Sequence, residues 1–300
     1  MGRMMEPHLA PVSLVIGVTG HRDLRDQDIA ALEAAVDGIF RRLEADYRTE
    51  RGPTPIILLS SLAEGADQLV ARVAREHGAQ LIAPMPMPIA EYRRDFEHGI
   101  KPDAAQAFDA CLELAVATPV VPFAPGNSIA AVRQQRERRS EQYRAAGLFI
   151  VRHCDILIAL WDGRDDGKLV GGTAEIVDFK RNGIAPGDSP SPGARLDARA
   201  IGPVIHVITP RATSTEPPPV SVAPWGKEFL AQFAARRAEI EAEPAADDAA
   251  KAGRDAKARE LRRAAERWSR IERLPVDPAQ GERVRDLFRD IASMNQWGPT

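Results

Sequence analysis

Three clusters in this chain place glycine beside a hydroxyl or a charge, and each follows an apolar run. Gly17-Val18-Thr19-Gly20-His21-Arg22 closes the first run. Glycine lets a bound group approach the backbone, Thr19 offers a hydroxyl, and the Arg22 guanidinium pairs with anions. A plain strand-to-helix turn, with His21 as a solvated turn residue, is the alternative reading. Ser60-Ser61 and Glu64-Gly65 follow the second run. Two hydroxyls and a glycine ahead of a helical pattern suit an anion or simple capping of the helix. Trp161-Asp162-Gly163 closes the third and leads into Gly171-Gly172-Thr173-Ala174-Glu175. There the backbone N–H groups of Gly172 and Thr173 open a helix, whose unpaired donors and dipole favour phosphate. Glu175, in the first turn, either complements that dipole or faces a ribose. Arg139 and Tyr143 stand one helical turn apart, so both can reach toward one ligand, and Pro84 and Met85 close a further run.

Other chemistries are excluded or weakly supported. Gly163 to Lys168 reads GRDDGK followed by Leu169, which lacks the spacing and the Ser or Thr of a P-loop. The first turn is not GxGxxG, and the second run ends in Ser60-Ser61 rather than in an acid for a ribose 2′-hydroxyl, so dinucleotide redox chemistry has little support. Cys111 and Cys154 form neither a CxxC nor a Cys/His cluster, and neither a metal site nor a cofactor is expected. His153-Cys154 reads as a helix end beside a buried small residue, and His206, within VIHVI, as a packed strand residue. Most arginines between Arg133 and Arg152 form a solvated face. A net charge of −3 argues against a dedicated nucleic-acid partner.

Positioning these clusters requires strands that alternate with helices. Apolar, β-branched runs stand at 14–19, 55–61, 80–85, 156–161 and 203–208, and a marginal one with two prolines at 118–123. Helical periodicity fills 29–43, 66–76 and 173–181, with short helices at 91–96 and 102–115 and one long helix over 130–153. The prolines of 84–88 turn the chain outward after the third run. Strand–helix alternation predicts an α/β fold, a doubly wound, mainly parallel Rossmann-like sheet covered on both faces.

The 300 residues suffice for one such domain, expected over 12–210, with a Pro-rich linker at 211–225 and an Ala-, Glu- and Arg-rich helical extension at 226–300. With 44% apolar and 28% charged residues the composition is that of a globular protein. No apolar run is long enough to span a bilayer, and nothing in Met1 to Pro11 directs export, so the cytoplasm is the expected compartment.

Taken together, GVTGHRDL, SSLAEGADQLVA, the proline-punctuated end of the third run, and CDILIALWDG with GGTAEIV resemble the SLOG superfamily over about residues 12 to 210. That group includes LOG-type phosphoribohydrolases, DprA-like DNA-processing proteins and nucleotide-sensing domains of bacterial conflict systems. The resemblance implies binding or sensing of a nucleotide or nucleotide-derived molecule at the strand ends, in a bacterial signalling or defence setting. Its glycine signature falls on Gly171, Gly172, Thr173 and Glu175, and its first turn on Gly17, Thr19, Gly20 and His21. The alternative it implies is a hydrolase of the N-glycosidic bond of nucleoside monophosphates, with Glu175 as acid/base or electrostatic group and Arg139 on phosphate. LOG-type enzymes resemble PGGxGTxxE, whereas Val170 replaces the proline here and Glu175 follows Thr173 by two residues. A sensor would pass occupancy through the C-terminal helices to another copy of the chain or to a separate effector module.

Overall fold

Central strands buried at nearly every residue and an apolar stripe on each long helix generate a sheet with helices on both faces. The computed structural model describes residues 13–48, 52–164, 169–183, 201–214 and 217–225, so the expected extension at 226–300 lies outside the described residues. The strands are β1 (Leu14–Gly20), β2 (Ile56–Leu59), β3 (Gln80–Ile82), β4 (Ala115–Ala117), β5 (Ile156–Trp161), β6 (Val204–Ile208) and β7 (Ser221–Val222). They lie in the order β4-β3-β2-β1-β5-β6-β7, parallel throughout except for the antiparallel β7. The mainly parallel, doubly wound α/β fold expected from the sequence is therefore observed.

Alternate side chains of each strand enter two separate cores. Leu14, Ile16 and Val18 of β1, and Ile156, Ile158 and Leu160 of β5, point to one face. That face is covered by α1 (Ile29–Asp46), α2 (Ala66–Glu76) and, after the short helices α3 (Ile89–Tyr92) and α4 (Arg94–Glu97), by α5 (Ala104–Glu113). Val15 of β1, with Leu157, Ala159 and Trp161 of β5, points to the other. Beyond α6 (Ile129–Gln134), that second face is covered by α7 (Arg136–His153) and α8 (Thr173–Asn182). Gly17 explains how α7 comes so near: a Cβ there would sit 2.7 Å from Ile150 Cγ2 and 2.8 Å from Cys154 Sγ.

Three elements depart from the sequence expectation. The long helix over 130–153 is two helices, because Gln135 is extended (φ −126°, ψ 114°) and serves as the N-cap of α7. The marginal fourth strand lies at Ala115–Ala117 rather than 118–123, since Pro119 and Pro122 have no N–H to offer. The pairing with the third strand continues past it only through Met85 N–H to Pro119 O and Val121 N–H to Met85 O, at 2.7 and 2.9 Å. Within the stretch expected as a linker, Ser221–Val222 adds an edge strand to β6, and Trp225 is buried in the first core.

Candidate functional site

The strand order reverses beside β1: the chain moves outward through β2, β3 and β4, then returns to β5 on the other side. At such a switch point the helices leave in opposite directions and open a crevice beyond the carboxyl ends of the strands. A cleft of about 770 Å³ lies there. Its walls come from the residues after β1 and β2, from α7, and from the start of α8.

Several residues singled out in the sequence meet in this cleft. Thr19, Gly20, His21 and Arg22 border it from β1, and Ser61 from β2. Tyr143, Trp161, Gly171, Gly172, Thr173 and Glu175 border it from α7, β5 and α8. Others are drawn into the scaffold. Gly17 is covered by α7, and Ser60 is fully buried, its hydroxyl accepting from Leu62 N–H at 3.1 Å. Glu64 is also buried and accepts from the Ile100 and Lys101 N–H groups at 2.9 and 2.8 Å, holding that loop at the rim. Gly65 is the N-cap of α2 with φ +86°, packed under the carbonyls of His21 and Arg22. Pro84 presents its carbonyl to the Ser61 hydroxyl at 2.9 Å, and Met85 is wholly buried in the core. Asp162 and Gly163 stand behind the wall, against His21 and His206 respectively.

His21 fastens three elements. Its N–H donates to Leu160 O at 2.9 Å, its carbonyl accepts from Ala66 N–H at 3.0 Å, and its Nε2 accepts from Asp162 N–H at 3.0 Å. An amide can only donate, so Nε2 is the unprotonated nitrogen. Burial and the neighbouring Arg211 charge lower its pKa despite Asp162 nearby, so the ring is neutral near pH 7.

Arg139 is not among the residues that border the cleft. Its guanidinium bonds Glu91 Oε1 at 3.0 Å and Asp95 Oδ1 at 2.7 Å, and its Nε–H donates to the Tyr143 hydroxyl at 2.8 Å. Tyr143 in turn donates to Asp95 Oδ2 at 2.6 Å. This network ties α7 to α3 and α4. Glu175 is engaged at both oxygens, with Arg144 Nε at 2.7 Å on one and Gly171 N–H at 2.7 Å on the other. Gly171 (φ +75°) leaves no room for a Cβ, which would lie 2.8 Å from Arg144 N. Glu175 therefore shapes the turn that leads into α8.

That turn leaves a set of donors without acceptors. Gly172 N–H bonds Leu169 O and Ile176 N–H bonds Gly172 O, each within 3.2 Å. The N–H groups of Thr173, Ala174 and Glu175 form no hydrogen bond among the described residues, as expected for the first turn of a helix. The Trp161 indole, 6% exposed, borders the same cleft, and its buried Nε1 has no partner among the described residues. An indole N–H can only donate, and a buried donor left unpaired costs roughly 1–3 kcal/mol. Arg164, at the rim, has no ion-pair partner among the described residues.

Asp67 and Tyr92 are among the cleft residues that were not anticipated in the sequence. Asp67, in the first turn of α2, borders the cleft, and burial pushes its carboxyl up to about 7 against the opposing pull of Ala63 N–H, Arg22 and Ser60. Tyr92 borders it too, its hydroxyl kept protonated by burial and by the Asp67 charge. Asp67 lies within the SSLAEGAD string but reads there as an ordinary dipole-complementing acid, and Tyr92 carries no local signal.

The strand order, the switch-point cleft and the donor-lined start of α8 define a Rossmann-like α/β domain with a cleft of ligand size. No protein-family model matches the chain, and neither does any curated protein. Among solved structures, the chain is similar to DNA processing protein A (DprA) from Streptococcus pneumoniae, with a TM-score of 0.30 and 15% identity. That match covers 49% of this chain and 41% of the other. No helix among the described residues is long and apolar enough to cross a membrane.

Proposed function

We propose that this cleft binds a nucleotide or nucleotide-derived small molecule, with a phosphate seated on the first turn of α8. The observation that carries the reading is the set of unpaired Thr173, Ala174 and Glu175 amides at the start of α8, all three in residues that border the cleft, with Trp161 in the same wall. All are donors, and a phosphate is a cluster of acceptors that also complements the positive end of the helix. The cleft volume of about 770 Å³ lies within the range usual for small-molecule sites, about 300–1,000 Å³. Thr19 and Thr173 add hydroxyls, and Arg164 a rim charge.

The engagement of both Glu175 oxygens favours binding over hydrolysis. A carboxylate tied to Arg144 and to the loop backbone is a positioning group, not a free acid or base. On this reading the protein is a ligand sensor, in keeping with the sensing branch of the superfamily it resembles.

Calorimetry with adenosine 5′-monophosphate, adenosine and inorganic phosphate tests the reading. The monophosphate is expected to bind and to be competed by phosphate, with adenosine weaker. Thr173→Asp places a carboxylate on the anion seat and is expected to weaken monophosphate binding by at least about tenfold, equivalent to about 1.4 kcal/mol. Equal binding of adenosine and its monophosphate, or a silent Thr173→Asp, overturns the assignment.

A further inference from the structure

The cleft is chemically two-sided. At the start of α8 it offers unpaired backbone donors, with the Glu175 carboxylate there already taken up by Arg144 and Gly171 N–H, whereas across the sheet, on the α2 face, it presents the Asp67 carboxyl. Asp67 is 6% exposed, and its Oδ2 accepts from Ala63 N–H at 3.3 Å. Beside it the Tyr92 hydroxyl, itself in a buried residue, forms no hydrogen bond among the described residues. Ser61, whose hydroxyl already donates to Pro84 O at 2.9 Å, completes this wall.

Although Arg22 borders this end, the ionised Asp67 carboxylate disfavours a phosphate beside it. The phosphate oxygens offer no donor to a carboxylate, and their charge opposes that of Asp67. The group that suits Asp67 donates hydrogen bonds and carries no negative charge. A pair of vicinal hydroxyls fits, since a carboxylate takes both protons through two oxygens, as acids do on a ribose in dinucleotide sites. The sequence lacks such an acid at the end of the second strand, but Asp67, from the start of the following helix, reaches the crevice in its place.

Resting on the phosphate seat at α8, we propose that Asp67 and Tyr92 form a second subsite that takes the vicinal hydroxyls of a phosphorylated ribose and so selects it over its 2′-deoxy counterpart. The groups facing Asp67 are Arg22, with its partner Glu64, the Ser60 hydroxyl and Tyr92, beyond which lie Tyr143 and Asp95. Arg22 offsets the ionised form, burial opposes it, and the balance places the carboxyl at about 7. Discrimination between ribose and deoxyribose therefore strengthens as pH rises through neutrality.

The test compares adenosine 5′-monophosphate, its 2′-deoxy analogue and inorganic phosphate on the full chain at pH 6 and pH 8. The native protein is expected to favour the ribose compound at least fivefold at pH 8 and less at pH 6. Asp67→Asn keeps an acceptor for Ala63 N–H, and is expected to abolish the preference while leaving inorganic phosphate binding unchanged. Tyr92→Phe reports independently, with a partial loss. Retained ribose preference in Asp67→Asn, or none in the native protein while both nucleotides bind, overturns the subsite and spares the phosphate seat. Failure of every phosphate-bearing probe, inorganic phosphate included, overturns the seat and the subsite with it.

Discussion

Burial shifts Asp67 upward and His21 and His206 downward, so their contributions to stability run in opposite senses with pH. Burial raises Asp67 from an ordinary carboxyl value to about 7, so the folded state binds a proton that the unfolded chain releases. Its contribution is present at low pH and is lost as pH rises from about 4 to 7, by as much as about 4 kcal/mol at about 1.4 kcal/mol per unit. Asp67→Asn is therefore expected to be more stable than the native protein at pH 8, by roughly 2–4 kcal/mol, and nearly equal to it only below about pH 4, as read by urea denaturation. His21 and His206 are lowered, chiefly by burial, so their contribution is present above their ordinary value and lost as pH falls through the depressed ones. With Asp67 replaced, the histidine contribution is no longer offset, and stability should decline from pH 7 to pH 5. A backbone prediction belongs here too. Gly65 has φ +86°, and a Cβ on it would lie 2.5 Å from Arg22 O and 2.6 Å from His21 O. Gly65→Ala should cost roughly 2 kcal/mol or more, measured by the same denaturation, because neither backbone carbonyl can move without releasing α2.

At the scale of elements, the start of α8 depends on how closely α8 packs against α7. Gly147 makes that packing close, since a Cβ there would sit 2.3 Å from Ile176 Cδ1 and 2.9 Å from its Cγ1. Gly147→Val is expected to cost about 1–3 kcal/mol by overpacking, and to weaken monophosphate binding by displacing the first turn of α8. Thermal melts and calorimetry on one preparation separate the two effects. These elements were largely legible in the sequence because their signal is local. ILIALW is buried from end to end as β5, and the helical run 66–76 is α2 with the same ends. The donor loop was legible for the same reason, as glycines ahead of a helical pattern. The break at Gln135 was not, because Gln135 is extended in a run whose residues are otherwise helix formers, and Arg133, two residues before it, is held by a tertiary ion pair with Glu91 at 2.6 Å. Nor was the removal of Arg139 from the site, because its partners Glu91 and Asp95 are over 40 residues away in the chain. Asp67 eluded the sequence for a related reason: its chemistry comes from burial, which no neighbour in the chain dictates.

Over the whole molecule, the two cores of the sheet do different work. One is closed at its edge by the residues after β6: β7 pairs with Val207 and Ile208, and Trp225 packs into the core while its carbonyl accepts from Arg42 at 3.0 Å. The Arg42 guanidinium lies 4.2 Å from the centre of the Trp225 ring, over α1. Trp225→Ala is expected to destabilise the fold by about 3 kcal/mol without changing ligand affinity, since it lies in the core and does not border the cleft. The other core, beneath α7 and α8, holds Trp161 at the cleft with its N–H unpaired. The first-turn amides of α8 are the most direct reporters of the phosphate seat, and the indole reports on the cleft wall. In a ¹H–¹⁵N spectrum titrated with adenosine 5′-monophosphate, the Trp161 indole resonance and the amides of Thr173, Ala174 and Glu175 are expected to shift downfield together, saturating at one common affinity. Saturable binding that leaves all four resonances in place would contradict the account.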